Sequence, residues 1–321
     1  MSAPDEAGRR MLMPAAAGLS SVSVIVVNYH AGSCLLDCVR SLLSQCGEVV
    51  IVDNSASDAA DSSVQNVREI YRGDARVLLL PQLTNLGFAG ACNIGVGAAR
   101  GDWLLFLNPD CVLHEHAVSE LLKALHAAPD AGMAGALLLN PDGSEQAGGR
   151  RAVPTPWRSF VRAFGLVRFE KRYPRLFSTY DLHALPLPMG PEPVEAISGA
   201  CMLVRKSALE DVGLLDEGYF MHCEDIDWCM RFRAAGWQVL FVPDARVVHA
   251  KGACSQARPV FVEWHKHKGM VRFYRRHFRH QYPGVLMLLV MLGVWARFLM
   301  VAGASLLRGV LSRFRAGRAS G

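Results

Sequence analysis

Trp103-Leu104-Leu105-Phe106-Leu107-Asn108-Pro109-Asp110 carries an apolar run straight into a proline and a carboxylate. The run has the length and composition of a buried strand, and the Asn-Pro step ends it. Upstream the pattern repeats. Val22–Asn28 is a β-rich apolar run, and the stretch after it spaces Leu35, Val39, Leu42 and Leu43 along one helical face. Then come Glu48–Val52, a polar helical stretch through Ile70, Val77–Leu80 and a Gly/Ala-rich helix near Ala89–Ala99. Strand alternating with helix predicts βαβ units, hence an α/β domain built on a Rossmann-like, mostly parallel sheet. Such sheets bind ligands at the carboxyl ends of their strands. Asn28, Asp53 and Asn108-Pro109-Asp110 all fall at such ends.

A second acidic motif, Glu224-Asp225-Ile226-Asp227, follows the strand-like run Gly218–Cys223 and opens a predicted helix to Ala235. Strands are expected through Val204 from Val194, and at Val239–Val242, with Arg246-Val247-Val248-His249 closing the domain near residue 258. Residues 140–193, rich in Pro, Gly and Arg, read as a variable insertion. In it Trp157, Phe160, Val161, Phe164 and Val167 are spaced to share a helical face, either packed on the domain or lying at a membrane interface.

Residues 1–21 contain Asp5 and Glu6, resemble no signal peptide, and read as a flexible tail. Residues 259–321 read as a basic, aromatic helix (Val260–Phe278) followed by apolar segments, Val285–Ala296 and Phe298–Leu311, separated by Arg297. The first segment is too short to span a bilayer, which needs about 20 residues. A helical hairpin lying on or dipping into the membrane is therefore expected. The chain has 321 residues, 51% hydrophobic, enough for one large domain with an appendage. Its nine cysteines lack C-x-x-C spacing, which argues for reduced thiols in a cytoplasmic setting and against zinc. The net charge of +5 gathers in Arg150–Arg175 and beyond Lys266, flanking apolar segments. That distribution suits an anionic membrane surface, and no nucleic-acid-reading module is visible.

The chemistry follows from residue type and place. Asp110 can ligate Mg²⁺ or Mn²⁺, a substrate diphosphate completing the shell, and Asn108 can add an amide oxygen or a sugar contact. Asp53 can accept a hydrogen bond from a nucleotide base. The turn at Asn85-Leu86-Gly87 and the helix with Asn93 could approach phosphate, but Gly-x-Gly-x-x-Gly and a Walker lysine are absent. Glu224 and Asp227 share one helix side, and Asp227 can pair with Arg231 at i,i+4. Asp225 faces away from that pairing and is a candidate general base. His249 could complete the metal shell beside Asp110.

Taken together, Val24-Ile25-Val26-Val27-Asn28-Tyr29, Val52-Asp53-Asn54-Ser55, Asn85-Leu86-Gly87-Phe88 with Asn93, Leu107-Asn108-Pro109-Asp110, Ser198-Gly199-Ala200 and Glu224-Asp225-x-Asp227 resemble the GT-A inverting glycosyltransferases of family 2. The likeness covers roughly residues 22–255 and is nearest to bacterial rhamnosyltransferases acting on lipid-diphosphate-linked glycans. It implies donor contacts at Asn28, Asp53, Asn85, Asn93 and Asn108, a metal at Asp110 and His249, and catalysis by Asp225, with Glu224 beside it. It also implies a nucleoside-diphosphate-sugar donor such as dTDP-rhamnose, a lipid-linked acceptor, and a peripheral or monotopic place on the inner face of the cell membrane. Asn108 departs from the commoner aspartate of that motif. A nucleotidyltransferase is disfavoured because Asn28-Tyr29-His30-Ala31-Gly32 carries no lysine or arginine. A non-catalytic nucleotide-sugar-binding scaffold is disfavoured because binding alone needs no base.

Overall fold

The computed structural model describes residues 18–55, 62–178, 180–250 and 259–319, the side chains of 307–319 excepted. Most of the expected N-terminal tail and the domain boundary near 258 lie outside these. Continuous apolar runs become parallel strands, buried on both faces except at the edge strand Val77–Pro81. They are β1 (Val22–Asn28), β2 (Glu48–Asp53), β3 (Val77–Pro81) and β4 (Trp103–Leu107), joined by α1 (Cys34–Leu42), α2 (Ser62–Ile70) and α3 (Gly87–Ala98). All pair in parallel in the order β3-β2-β1-β4. The register sets Asn28 opposite Asp53.

Beyond β4 the sheet becomes mixed. The elements are β5 (Cys111–Leu113), α4 (Ala117–Ala127), β6 (Ala131–Leu139), β7 (Arg150–Arg151), α5 (Pro156–Ala163), α6 (Pro174–Phe177), β8 (Glu192–Pro193), β9 (Ala196–Ile197), β10 (Cys201–Arg205), α7 (Ala208–Val212), α8 (Glu224–Ala234), β11 (Gln238–His249), α9 (Pro259–Phe278) and α10 (Gly284–Ala319). The order continues β4-β10-β6-β11-β5, with β10 antiparallel to both neighbours and β5 antiparallel to β11. Because β10 runs against β4, Cys201 stands opposite Leu107. The residues entering β10 therefore meet the residues leaving β4.

Helices cover both faces. On one, α1, α2 and α4 bury Leu35, Val39, Val67, Leu121 and Leu125. On the other, α3, α8, α9 and α10 bury Cys92, Trp228, Phe232, Phe273, Tyr274 and Met287. The C-terminal helices thus share a core with the sheet.

Several expectations need correction. Gly218–Cys223 is a loop anchored by its buried side chains Tyr219 and Cys223, with Gly218 and His222 exposed, and His222 and Cys223 adopt left-handed φ of 64° and 72°. Its apolar character reflects burial and not strand pairing. The strand expected from Val194 to Val204 is broken at Ser198–Ala200, whereas the two runs around 239–249 form one strand with a register shift between Val242 and Arg246. In and just after α5, Trp157 stacks on Phe160 at 5.5 Å and Phe160 meets Phe164 at 4.5 Å, so these three share one exposed face while Val161 turns inward and is fully buried. The two apolar segments expected around Arg297 are one continuous helix, α10. Its Arg297 Nη1 lies 2.9 Å from His267 Nε2 of α9, so the guanidinium is spent on a neighbouring helix and interrupts nothing.

Candidate active site

Antiparallel pairing of β5 with β11 places His249 opposite Cys111 and so beside Asp110. His249 Nε2 lies 3.2 Å from Asp110 Oδ1 and 3.4 Å from Asn108 Nδ2. The far side of the ring is held by Gln146, whose Oε1 is 2.7 Å from Nδ1 and whose Nε2 donates to the His249 carbonyl at 3.0 Å and to Asn140 Oδ1 at 3.0 Å. That arrangement puts the ring hydrogen on Nδ1 and, in a neutral ring, turns the Nε2 lone pair toward Asp110. Two acceptors so close need a cation or a proton between them. Adjacent ligands of an octahedral Mg²⁺, each at about 2.1 Å, stand about 3.0 Å apart. The observed spacing fits that figure, and Mn²⁺ accepts the same carboxylate-and-imidazole pair.

Cys111 Sγ belongs to the same buried group. Burial pushes its thiol far above the usual range, and Sγ is 3.5 Å from the Ala200 carbonyl to which it donates. It stays a protonated core residue and does not join a hard-cation shell.

Gln146 was not anticipated, because it lies in the insertion and carries no motif. Ligating histidines are tuned by such partners, whose loss typically costs 10–100-fold in metal affinity. Gln146→Leu is accordingly expected to weaken Mn²⁺ binding by roughly that factor. Titration of the protein with Mn²⁺ measures this, and an unchanged affinity would refute the role of Gln146.

At the nucleotide end, buried Asn28 donates to Asp53 Oδ1 at 3.0 Å, and the Ser55 N–H donates to the same oxygen at 3.2 Å. Asn28 and the Ser55 N–H therefore fix the orientation of Asp53. Asn85 accepts from Asn54 Nδ2 at 2.8 Å and from the Gly87 N–H at 2.9 Å. Gly87 has φ +75°, and a Cβ there would fall 2.4 Å from the Phe220 carbonyl, so only glycine fits this turn. Asn93 stands apart. Its amide exchanges hydrogen bonds with the Leu215 backbone at 3.0 and 3.1 Å and donates to Glu217 at 2.9 Å, which ties down the loop before Tyr219.

The second motif begins α8. Asp225 Oδ1 accepts from the Ile226 N–H at 2.8 Å and Oδ2 from the Gly199 N–H at 3.1 Å, with Arg151 Nη2 closing on Oδ2. The same loop accepts the Asn108 N–H at the Ala200 carbonyl, at 3.0 Å. Ser198–Ala200 thus joins the two acidic motifs through backbone contacts. Arg151, like Gln146, went unnoticed in the sequence as one arginine among many.

Glu224 and Asp227 face elsewhere. Glu224 is 7% exposed and its Oε2 is sealed from solvent without a partner. Burial first, and then the Asp225 carboxylate, push its carboxyl well above the ordinary range. A raised folded-state value means that the folded protein holds a proton which the unfolded chain releases from about pH 4.5. This contribution is present below that point and is lost as pH rises toward the folded value. Glu224→Gln is expected to flatten the decline in thermal midpoint between about pH 4.5 and about pH 8, and a decline as steep as in the parent would overturn the assignment. Asp227 is fully buried and meets Arg231, as expected, but also Tyr219 Oη at 3.2 Å and His277 Nε2 at 2.8 Å.

The Asp110–His249 pair at a strand end, a carboxylate at a helix start joined to it through Ser198–Ala200, and a mixed α/β sheet mark a glycosyltransferase of the GT-A type. The chain belongs to glycosyl transferase family 2, whose family model matches residues 23–213. It is 34% identical over 246 residues to the N-acetylglucosaminyl-diphospho-decaprenol L-rhamnosyltransferase of Mycobacterium tuberculosis, covering 71% of this chain and 75% of that protein. It is 29% identical over 227 residues to rhamnosyltransferase WbbL of Escherichia coli, covering 63% and 82%. Among solved structures, the mannosyltransferase PcManGT from Pyrobaculum calidifontis, in complex with GDP-Man and Mn²⁺, matches with TM-score 0.54 at 17% identity over 94% of this chain and 79% of that one. GalNAc-T7 with UDP, GalNAc and Mn²⁺ matches with TM-score 0.57 at 18% identity, over 79% of this chain but only 47% of that one. These two likenesses establish the fold.

Proposed function

We propose that this glycosyltransferase moves L-rhamnose from dTDP-rhamnose to a lipid-diphosphate-linked glycan at the inner face of the cell membrane, in cell-envelope glycan synthesis. The observation that carries the reading is the union, through Ser198–Ala200, of the Asp110–His249 pair with Asp225. The two rhamnosyltransferase relatives support the choice of sugar, and the decaprenol-linked substrate in one relative's name supports the acceptor.

Asp53 contacts the base of the nucleotide, and Asn28 keeps it turned outward. Asp110 and His249 hold the divalent cation which, when bound, offsets the charge developing on the departing diphosphate. Asp225 takes the proton of the acceptor hydroxyl on a carboxylate oxygen as the hydroxyl's own oxygen bonds to the anomeric carbon. The bond from that carbon to the diphosphate breaks on the opposite side, with inversion. Arg151 and the Gly199 N–H keep the base in place. Glu224, closed off from solvent, supports α8 and does not reach the acceptor.

A panel of nucleotide sugars with Mn²⁺ or Mg²⁺ and a membrane lipid extract tests this, read as nucleoside diphosphate release. Release is expected with dTDP-rhamnose and a divalent cation. Preference for another sugar would sink the donor assignment, and pyrophosphate release from a nucleoside triphosphate would favour nucleotidyl transfer.

The membrane reading rests on α10. Gly284–Leu306 is long and apolar enough to cross a bilayer by length and composition, and only 22% of its most apolar window is buried. Met287 and Val294 pack inward, while Val285, Leu288, Leu289 and Leu292 are exposed. One face on the domain and one face bare fit a helix lying in the interface. Replacing Leu288, Leu289 and Leu292 together by Gln is expected to move the protein from the membrane fraction to the soluble one, and an unchanged distribution would refute the anchor.

A further inference from the structure

A cleft of about 850 Å³ opens between α9, the end of α8 and the loop at 214–218, and no residue assigned to the donor or the base lines it. Its wall on α9 is a basic stripe. Lys268, Arg272, Arg275 and Arg276 recur at helical spacing and are all exposed. Arg231 closes the cleft from α8, standing six residues beyond Asp225, a rise of about 9 Å.

The local charge does not cancel. Asp216 takes Arg272 at 2.9 Å and also Arg276, while Asp227 takes Arg231 at 2.9 Å. Lys268 and Arg275 have no acidic partner among the described residues. Arg231 Nη2 is buried without a hydrogen-bond partner. Five cations thus face two carboxylates, one of them wholly buried behind Arg231. A surplus of this kind in a concave wall calls for an anion, and arginine forks suit phosphate oxygens.

We propose that this cleft binds the phosphate of an anionic phospholipid headgroup and so seats the catalytic domain on the bilayer. The proposal rests on the reading that the enzyme works at a membrane. The identity of the phosphate follows from what adjoins the stripe. The chain leaves Arg276, turns at residues 279–283, and starts α10 with Val285 at 74% exposure and Leu288 and Leu289 each at 59%. Arg275 and Arg276 stand near the turn into this bare apolar face, and Lys268 lies further along α10, next to the contact of His267 with Arg297 at 2.9 Å. A basic wall running beside an apolar helix matches the boundary between headgroups and acyl chains. A free phosphate would need no such neighbour.

The test is sedimentation of the full chain with phosphatidylcholine vesicles, with and without phosphatidylglycerol, at two salt concentrations. The parent is expected to prefer the anionic vesicles and to lose that preference in high salt. Lys268→Gln with Arg275→Gln should weaken anionic-vesicle binding roughly thirtyfold, at about tenfold per 1.4 kcal/mol and about 1 kcal/mol per charge. The two charges reversed to Glu should weaken it further. Neither side chain is paired or buried, so thermal midpoints and turnover on a detergent-dispersed acceptor should stay at the parental level. That turnover readout separates this proposal from the assignment of the reaction. Equal binding of parent and variant to anionic vesicles would overturn the proposal, and so would parental indifference to phosphatidylglycerol. Saturable, Lys268- and Arg275-dependent binding of inorganic pyrophosphate without any vesicle preference would assign the cleft to a free anion and overturn the lipid assignment.

Discussion

Asp225→Asn is expected to lower sugar transfer by roughly 10²- to 10⁴-fold, the range contributed by a positioned general base. The amide carbonyl can still accept from Arg151 and from the Gly199 N–H, so the loop keeps its geometry, while the amide nitrogen takes the place of Oδ1 and gives up the Ile226 N–H. What the amide cannot do is take the acceptor's proton. The loss should therefore appear in kcat, with metal-dependent donor binding close to the parental value, measured by titrating dTDP-rhamnose in the presence of Mn²⁺. If Asp225 were only a partner for Arg151, the isosteric amide would leave turnover largely intact. Retained turnover would thus remove Asp225 as the base.

The second large effect is on stability. Asp227 is completely buried and gathers Tyr219, Arg231 and His277, with Arg276 Nη1 at 3.5 Å. Burial opposes its charge, but the hydrogen bonds from His277 and Arg231 prevail and hold the carboxyl below its usual range. Removing one member of a buried ion pair leaves the others uncompensated, at a cost of about 3–5 kcal/mol. Asp227→Ala should lower the thermal midpoint by roughly 10 °C or more, at about 2–4 °C per kcal/mol for a domain of this size. Because the folded-state value is depressed, this stabilisation is present above the ordinary carboxyl value of 3.8 and is lost as pH falls below it. A calorimetric scan across acidic pH tests both points, and a midpoint within a degree or two of the parent would contradict them.

The parallel half of the fold was legible because its strands, the edge strand β3 excepted, are buried on both faces, and all read as unbroken apolar runs. Strand ends then pointed to Asp53 and Asp110 without knowledge of any contact. The other half was less legible for a physical reason. A loop anchored by buried side chains can match a buried strand in apolar composition, so Gly218–Cys223 passed for a strand. The direction of β10 depends on pairing between segments far apart in sequence, which no local period records. Arg297 read as a break because a guanidinium in an apolar run is costly in lipid, yet His267 on the adjacent helix relieves that cost. Gln146 and Arg151 were invisible for a related reason, since each acts by what it touches more than a hundred or some seventy residues away.

Those two side chains lie five positions apart on one short stretch. Gln146 grips the imidazole of His249, and Arg151 grips the carboxylate of Asp225. Between them Arg150, 3% exposed at its side chain, is ion-paired to Glu145 at 2.8 Å and sits over the Phe241 ring. One anchored segment therefore holds both halves of the proposed reaction. Under those proposed roles, a change that shifts this segment is expected to disturb cation binding and the base together.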